Sequence, residues 1–346
     1  MIKNKLQIIL VTYNREKHLE NTLNQLFSDS SPVKDFDITI LDNASTDGTS
    51  DLLDEYAQKY PNLKHIRHER NIGGNANITR AFEIAQKEYL WVLCDDDSYN
   101  WIHWKAIEQA IFIDKYDMIF TNRYLNIKSD VVSKGYLAFL ASFLPGVIYK
   151  TKFITDDILQ NMYGMIHTWF PQSILSLDIL FNKKGNYWLP NENLIIRGNI
   201  PDPKENLASL TRGIHLLHPD LQRMFWHVGF IKVAQIITDS KIRSDVIETT
   251  NFNERWNENF IAYCQSIFDY NTHFKKSSKK NLNDVYLNLS RHEKICFLIA
   301  KYSSYFKQPL YKYFPIYIRF TPKGIILHLF YKIKIRIWSR KWLGLK

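Results

Sequence analysis

From Leu6 to Thr121, strand-like and helix-like apolar patterns alternate without a break. Leu6–Thr12, Phe36–Leu41, Leu63–Arg67, Tyr89–Cys94 and Met118–Thr121 read as short strands, several of them continuous apolar runs of the kind that a sheet covered on both faces requires. Between them, Leu19, Leu23, Leu26 and Phe27 share one helical face, as do Leu52, Leu53, Tyr56 and Tyr60, and then Ile78, Ala81, Phe82 and Ala85. Strict alternation means βαβ units, hence an α/β fold with a doubly wound, largely parallel sheet. With 346 residues and 45% apolar content the chain has material for a substantial core, which excludes disorder, collagen and coiled coil.

Beyond Thr121 the pattern loosens. Val147–Lys150 reads as one more strand, Asp156–Tyr163 and Met165–Leu177 as helices, and Tyr187–Leu189 with Leu194–Arg197 as a hairpin around Pro190-Asn191. After Pro219 the apolar spacing is mostly helical. Three widely spaced cysteines without C-x-x-C argue against a zinc knuckle or disulfide framework and for a reducing compartment. The apolar run Leu6–Val11 is too short for a signal-peptide core, and no stretch reaches the ~20 apolar residues of a membrane-spanning helix.

An open parallel sheet binds ligands beyond the carboxyl ends of its strands. The polar motifs sit at those ends: Thr12-Tyr13-Asn14-Arg15 after the first strand, Asp42-Asn43-Ala44-Ser45-Thr46-Asp47-Gly48-Thr49 after the second, Asn71-Ile72-Gly73-Gly74-Asn75-Ala76-Asn77 after the third and Asp95-Asp96-Asp97 after the fourth. Thr12 to Asp42 is 30 residues, Asp42 to Asn71 is 29 and Asn71 to Asp95 is 24, so four loops converge on one rim. Three adjacent carboxylates repel one another unless a cation or donor groups compensate them, and a hard divalent ion, Mn²⁺ or Mg²⁺, suits such an oxygen set. An acidic turn capping the next helix is the alternative. Gly73-Gly74 lets the backbone approach a ligand at a helix N-terminus that favours anions, although it also fits an ordinary turn, and G-x-G-x-x-G is absent. Arg80 lies one turn further, within reach of a phosphate or base or else solvated.

Together these four motifs resemble the family-two glycosyltransferases with a GT-A fold, over roughly residues 5–125. The resemblance implies transfer of a sugar from a nucleotide-diphosphate donor, UDP favoured, to an acceptor hydroxyl, with inversion and with Mn²⁺ or Mg²⁺ on the diphosphate. It implies a donor pocket of Thr12, Tyr13, Arg15, Asp42, Asn43, Asn71, Gly73, Asn75, Arg80, Asp95 and Asp96, with Asp42 on the base and a D-x-D of Asp95 and Asp97 around ribose and metal. On this basis 1–218 is the GT-A domain, with a nucleotide-sugar half at 1–125 and an acceptor half at 126–218, and 219–346 is a largely helical C-terminal region. The family usually takes its base from an acidic pair on a later helix, but the corresponding stretch, Met162–Gln172, has none. His167, with an imidazole suited to neutral pH, is the first candidate base, and Asp157 the second.

The basic character is local. Of a formal net charge of +10, the stretch Lys294–Lys346 supplies twelve lysines and arginines and no acid, which leaves −2 for residues 1–293. In the last 46 residues these charges interleave with Tyr, Phe, Trp and Ile, and Ile326, Leu329, Phe330, Ile333 and Ile337 can share a helical face. No nucleic-acid-binding motif accompanies them, so the expected partner is an anionic membrane surface, with the enzyme peripheral on the cytoplasmic face and a glycan or lipid-linked acceptor. The competing expectation packs this face on the enzyme body or a second subunit in a homo-oligomer. The functional alternatives are a sugar nucleotidyltransferase, which needs a Gly-rich basic loop that Thr12–Arg15 lacks, and a non-catalytic glycan-assembly module.

Overall fold

A computed structural model describes residues 2–123, 132–196, 229–230 and 232–249, all within one unit spanning Met1–Asn251. Its centre is a seven-stranded sheet made of β1 (Leu6–Thr12), β2 (Ile38–Asp42), β3 (Leu63–Arg67), β4 (Tyr89–Leu93), β6 (Met118–Phe120), β7 (Val147–Lys150) and β8 (Tyr187–Trp188). The strand order is β3-β2-β1-β4-β7-β6-β8, and the two-residue strands β5 (Ser98–Tyr99) and β9 (Ile195–Ile196) form a separate antiparallel ribbon. The pairs β1–β2, β2–β3, β1–β4 and β6–β8 are parallel, and β7 alone runs the other way, between β4 and β6.

Alternation along the strands builds two cores. Leu6, Ile8 and Leu10 of β1, Ile38 and Ile40 of β2, and Tyr89, Trp91 and Leu93 of β4 face α1 (Glu16–Leu26), α2 (Thr49–Lys59) and α4 (Trp104–Ile113). The intervening Ile9, Leu41, Leu90 and Val92 face α3 (Gly74–Glu83), α5 (Lys134–Leu140), α6 (Asp156–Gly164) and α7 (Ser173–Leu177). Both sets are at most 1% exposed, which is why these strands read as unbroken apolar runs. Among the described residues no helix is long and apolar enough to cross a membrane.

Three expectations change. Met165–Leu177 is not one helix: residues 165–172 are irregular and only Ser173–Leu177 is helical. The preceding loop closes through turns, Thr168 N–H to Met165 C=O and Ser173 N–H to Phe170 C=O, and Pro171 has no N–H to donate to a helical ladder. Tyr187–Trp188 and Ile195–Ile196 do not pair as a hairpin, because the first joins β6 and the second crosses to β5. The unit also runs past the expected boundary at 218, since the Phe230 ring packs edge-on against Phe170 at 5.8 Å and α8 (Ser240–Thr249) packs on α5. The basic tail and most of the region after Pro219 lie outside the described residues.

Candidate active site

All four motifs reach the same rim. At the end of β1, Asn14 adopts a left-handed conformation, φ 52°, and is held there by its N–H bond to Ser45 Oγ at 2.9 Å and by Thr46 N–H donating to its side chain at 2.6 Å. The chain then turns sharply into α1, which brings Arg15 over the end of β4. Its Nε lies 3.3 Å from Asp95 Oδ1 and its Nη2 3.0 Å from Asp96 Oδ2. Thr12 Oγ1 donates to the other Asp95 oxygen at 2.7 Å, and Thr22 of α1 donates to the Asp95 carbonyl at 2.9 Å. Burial pushes the Asp95 carboxyl up to about 6, against the opposing pull of Arg15. Both Asp95 and Asp97 are 5% exposed.

The second and third loops are tied by amides. Asn43 Nδ2 donates to Asn71 Oδ1 at 3.1 Å, while Asn43 Oδ1 accepts from Ile72 N–H and Asn71 Oδ1 from Gly73 N–H. Gly73 has φ +92°, which sets the backbone into α3. Behind it Asn77 bridges His68, at 2.8 Å, and the Leu41 carbonyl, at 3.1 Å. These loops enclose a cleft of about 160 Å³ lined by Thr12, Tyr13, Arg15, Asn43, Asp95 and Asp96, together with Val11, Gly74, Asn77, Ile78 and Cys94. A wider groove, about 670 Å³, opens at the strand starts near Thr39, Lys64 and Lys87, and none of the rim motifs lines it.

Several sequence expectations are redirected. Asp42 is 1% exposed and holds its own turn: Oδ1 accepts from the Ser45 N–H and hydroxyl, and Oδ2 lies 3.6 Å from Arg67 Nε. Asn75 turns its amide to the carbonyls of Ile166 and Thr168, clamping the 165–172 loop to the start of α3. Arg80 pairs with Glu83, which also accepts from Tyr163, so its charge is spent between α3 and α6. Asp95 is taken by Thr12 and Arg15, and the donor atoms that come together for a metal are instead Cys94 Sγ and one oxygen each of Asp96 and Asp97, all within 4.8 Å of one another.

Asp157 is corrected outright. Because β7 is antiparallel, Lys150 pairs with Tyr89 at the start of β4, and Thr151 donates to the carbonyls of Lys87 and Glu88. Helix α6 therefore begins at the foot of the sheet, and Asp157 sits in its first turn, exposed and a helix length from the rim. His167 follows the other end of α6, on the loop held by Asn75. Lys232 Nζ lies 3.3 Å from its Nε2, and its ring also bonds the Gly164 backbone. Burial and then the Lys232 charge hold its pKa below 6.5.

Arg67, Lys232 and Cys94 were not singled out from sequence. Cys94 directly precedes the acidic run, which is a usable signal; Arg67 and Lys232 carry none, since each acts through a contact made only in the fold.

The family model described as glycosyl transferase family 2 matches residues 7–175. The chain is 34% identical over 88 residues to the abequosyltransferase RfbV of Salmonella typhimurium, a match covering 25% of this chain and 26% of that relative, so the shared stretch spans about a quarter of the relative's length. Staphylococcus aureus TarS 1–349, solved in complex with UDP-GlcNAc, superposes with a TM-score of 0.51 at 16% identity, covering 88% of this chain and 92% of that one. The mannosyltransferase PcManGT of Pyrobaculum calidifontis, solved with GDP-Man and Mn²⁺, gives 0.52 at 14% identity, covering 88% and 87%.

Proposed function

Residues 7–175 belong to glycosyl transferase family 2, which makes this chain a glycosyltransferase with a GT-A fold, and from that premise we propose an inverting, metal-dependent enzyme that moves a sugar from a UDP-sugar to a hydroxyl of a surface polysaccharide or lipid-linked oligosaccharide. The observation that carries the reading is the convergence of Thr12, Arg15, Asp95 and Asp96 on one cleft at the carboxyl ends of parallel strands, with an Asp97 oxygen within 4.8 Å of Asp96. In support, RfbV is named an abequosyltransferase and TarS 1–349 is solved in complex with UDP-GlcNAc. Mn²⁺ accompanies the nucleotide sugar in the Pyrobaculum enzyme.

The donor set fits a divalent cation, since Asp96 and Asp97 offer hard oxygens within 4.8 Å of each other, and these two would hold it, with Cys94 Sγ beside them. When bound, such an ion stabilises the charge that develops on the departing nucleoside diphosphate. The chain does the rest. Asn43 and Asn71 fix the Gly73-Gly74 backbone at the N-terminus of α3, where unpaired N–H groups favour an anion. Arg15 supplies a positive charge on the facing wall of the cleft. His167, kept neutral by burial and Lys232, is the proposed acceptor of the hydroxyl proton through Nε2, which Lys232 Nζ must vacate, on the loop that Asn75 joins to α3. The basic tail is proposed to seat the enzyme on the inner face of an anionic membrane.

The deciding assay supplies UDP-sugars and GDP-sugars with Mn²⁺ and measures free nucleoside diphosphate. Release from a UDP-sugar is expected, with loss of transfer but retained donor binding in His167→Ala. Turnover of GDP-sugars alone overturns the donor assignment, and near-normal turnover of His167→Ala removes His167 from the mechanism. For the tail, sedimentation with anionic liposomes is expected to differ between the full chain and a truncation near residue 320; identical behaviour sinks the membrane assignment.

A further inference from the structure

Arg15 touches two members of the acidic run at once, and it does so with different arms of its fork. Nε faces Asp95 Oδ1 at 3.3 Å and Nη2 faces Asp96 Oδ2 at 3.0 Å, with the Arg15 side chain only 12% exposed. The two carboxylates are not equivalent. Asp95 is fixed by Thr12 and Thr22 and takes no part in the group of metal-capable atoms, whereas Asp96 is a member of that group with Asp97 and is more open, its side chain 26% exposed. Asp96 is thus claimed by two cations, the guanidinium and a divalent ion.

We propose that Arg15 is a shared counter-ion that couples metal binding to donor binding: it keeps Asp95 through Nε, yields Asp96 to the metal, and turns the released Nη2 arm to the donor's diphosphate. The inference rests on the donor and metal reading given above. Charge supports the partition. A divalent ion balances Asp96 and Asp97, and Arg15 balances Asp95, so the acidic run is neutral only when both are present. Before the diphosphate arrives, a metal entering at Asp96 meets the Arg15 charge at close range and is repelled. Once the diphosphate lies between Arg15 and the N-terminus of α3, across the same cleft, the guanidinium has a second anion to pair with, and a planar fork suits two acceptors on different groups. Binding free energies are reciprocal, so the metal and the nucleotide must then tighten each other by the same factor.

The test measures Mn²⁺ affinity by electron paramagnetic resonance on the full chain, with and without UDP, in the wild type, Arg15→Gln and Arg15→Lys. Circular dichroism melts confirm that each variant folds. In the wild type, UDP is expected to tighten Mn²⁺ at least tenfold. Arg15→Gln is expected to bind Mn²⁺ alone at least fivefold more tightly than the wild type and to reduce the effect of UDP below threefold. Arg15→Lys, which keeps the charge, should stay within twofold of the wild type for Mn²⁺ alone. Unchanged or weaker Mn²⁺ binding in Arg15→Gln overturns the proposal, as does Arg15→Lys matching Arg15→Gln in its affinity for Mn²⁺ alone. Absence of Mn²⁺ binding in all three proteins, with UDP still bound, overturns the metal reading itself, which separates the two failures.

Discussion

Asn43 and Asn71, 28 positions apart, bond side chain to side chain at 3.1 Å and so lock the loop after β3 to the end of β2. Asn43 is fully buried, and its carbonyl oxygen also takes the Ile72 N–H at 2.9 Å. Replacing it by alanine leaves the Ile72 N–H without its partner and Asn71 Oδ1 with the Gly73 N–H alone. Asn43→Ala should cost about 1–3 kcal/mol in urea unfolding. Because the same bonds shape the turn at Gly73, UDP affinity by titration calorimetry should fall in parallel. A destabilised variant with unchanged UDP affinity would show that the turn is not part of the donor cleft.

Gly73 allows a cleaner version of that test. At φ +92° an L side chain is strained, yet a Cβ there would meet nothing within 4 Å. The penalty of Gly73→Ala is therefore conformational, about 1–2 kcal/mol, with no clash to relieve. If the turn relaxes to a negative φ instead, the N–H groups at the start of α3 swing from the cleft. Weakened nucleotide binding with a melting temperature lowered by only a few degrees is the expected pair of results.

The rim was legible because each βαβ unit returns the chain to the same end of the sheet. Thr12, Asp42, Asn71 and Asp95 could be placed together from spacing alone, and Thr12 and Asp95 do bond. What one strand's apolar pattern does not carry is its direction. Val147–Lys150 was visible as a strand, but its antiparallel setting, which sends Asp157 to the foot, is fixed by pairing with β4 and β6. Nor does a motif say which way each side chain turns. Asn75 and Arg80 sit in or just after the Asn71–Asn77 motif, yet both spend their polar groups on the α6 side of α3, because backbone carbonyls at 166 and 168 and the Glu83 carboxylate lie there.

His167 carries the pH prediction. Burial first and the Lys232 charge second lower its pKa from 6.5, and the bond to the Gly164 backbone opposes them without prevailing. The native state therefore binds this proton more weakly than the unfolded chain. Its contribution to stability is present above the unfolded value of about 6.5 and is lost as pH falls through the depressed folded value. Lys232→Met removes the charge 3.3 Å from Nε2 and should raise the His167 pKa toward 6.5, read from its imidazole protons by NMR titration. With His167 as the base, the acid limb of kcat must move to higher pH in the same variant. A limb that stays in place while the NMR pKa rises assigns the limb to another group.

Asp97 and Asp157 give the sharpest contrast between the two ends of the sheet. Asp97 is 5% exposed and contributes an oxygen to the group with Cys94 and Asp96, so Asp97→Asn removes a charge from the only His/Cys/Asp/Glu cluster suited to a cation among the described residues. Loss of a positioned charge of that kind costs about 10²-fold or more in kcat. Asp157 is exposed in the first turn of α6, where a negative charge favours the helix N-terminus, and nothing at the rim depends on it. Asp157→Asn should leave kcat within about twofold and cost at most about 1 kcal/mol through the weakened helix dipole. Nucleoside diphosphate release assayed side by side in the two variants, with Mn²⁺ saturating, reads both. A large loss in Asp157→Asn would overturn the assignment of proton transfer to the rim and return Asp157 to the candidate bases.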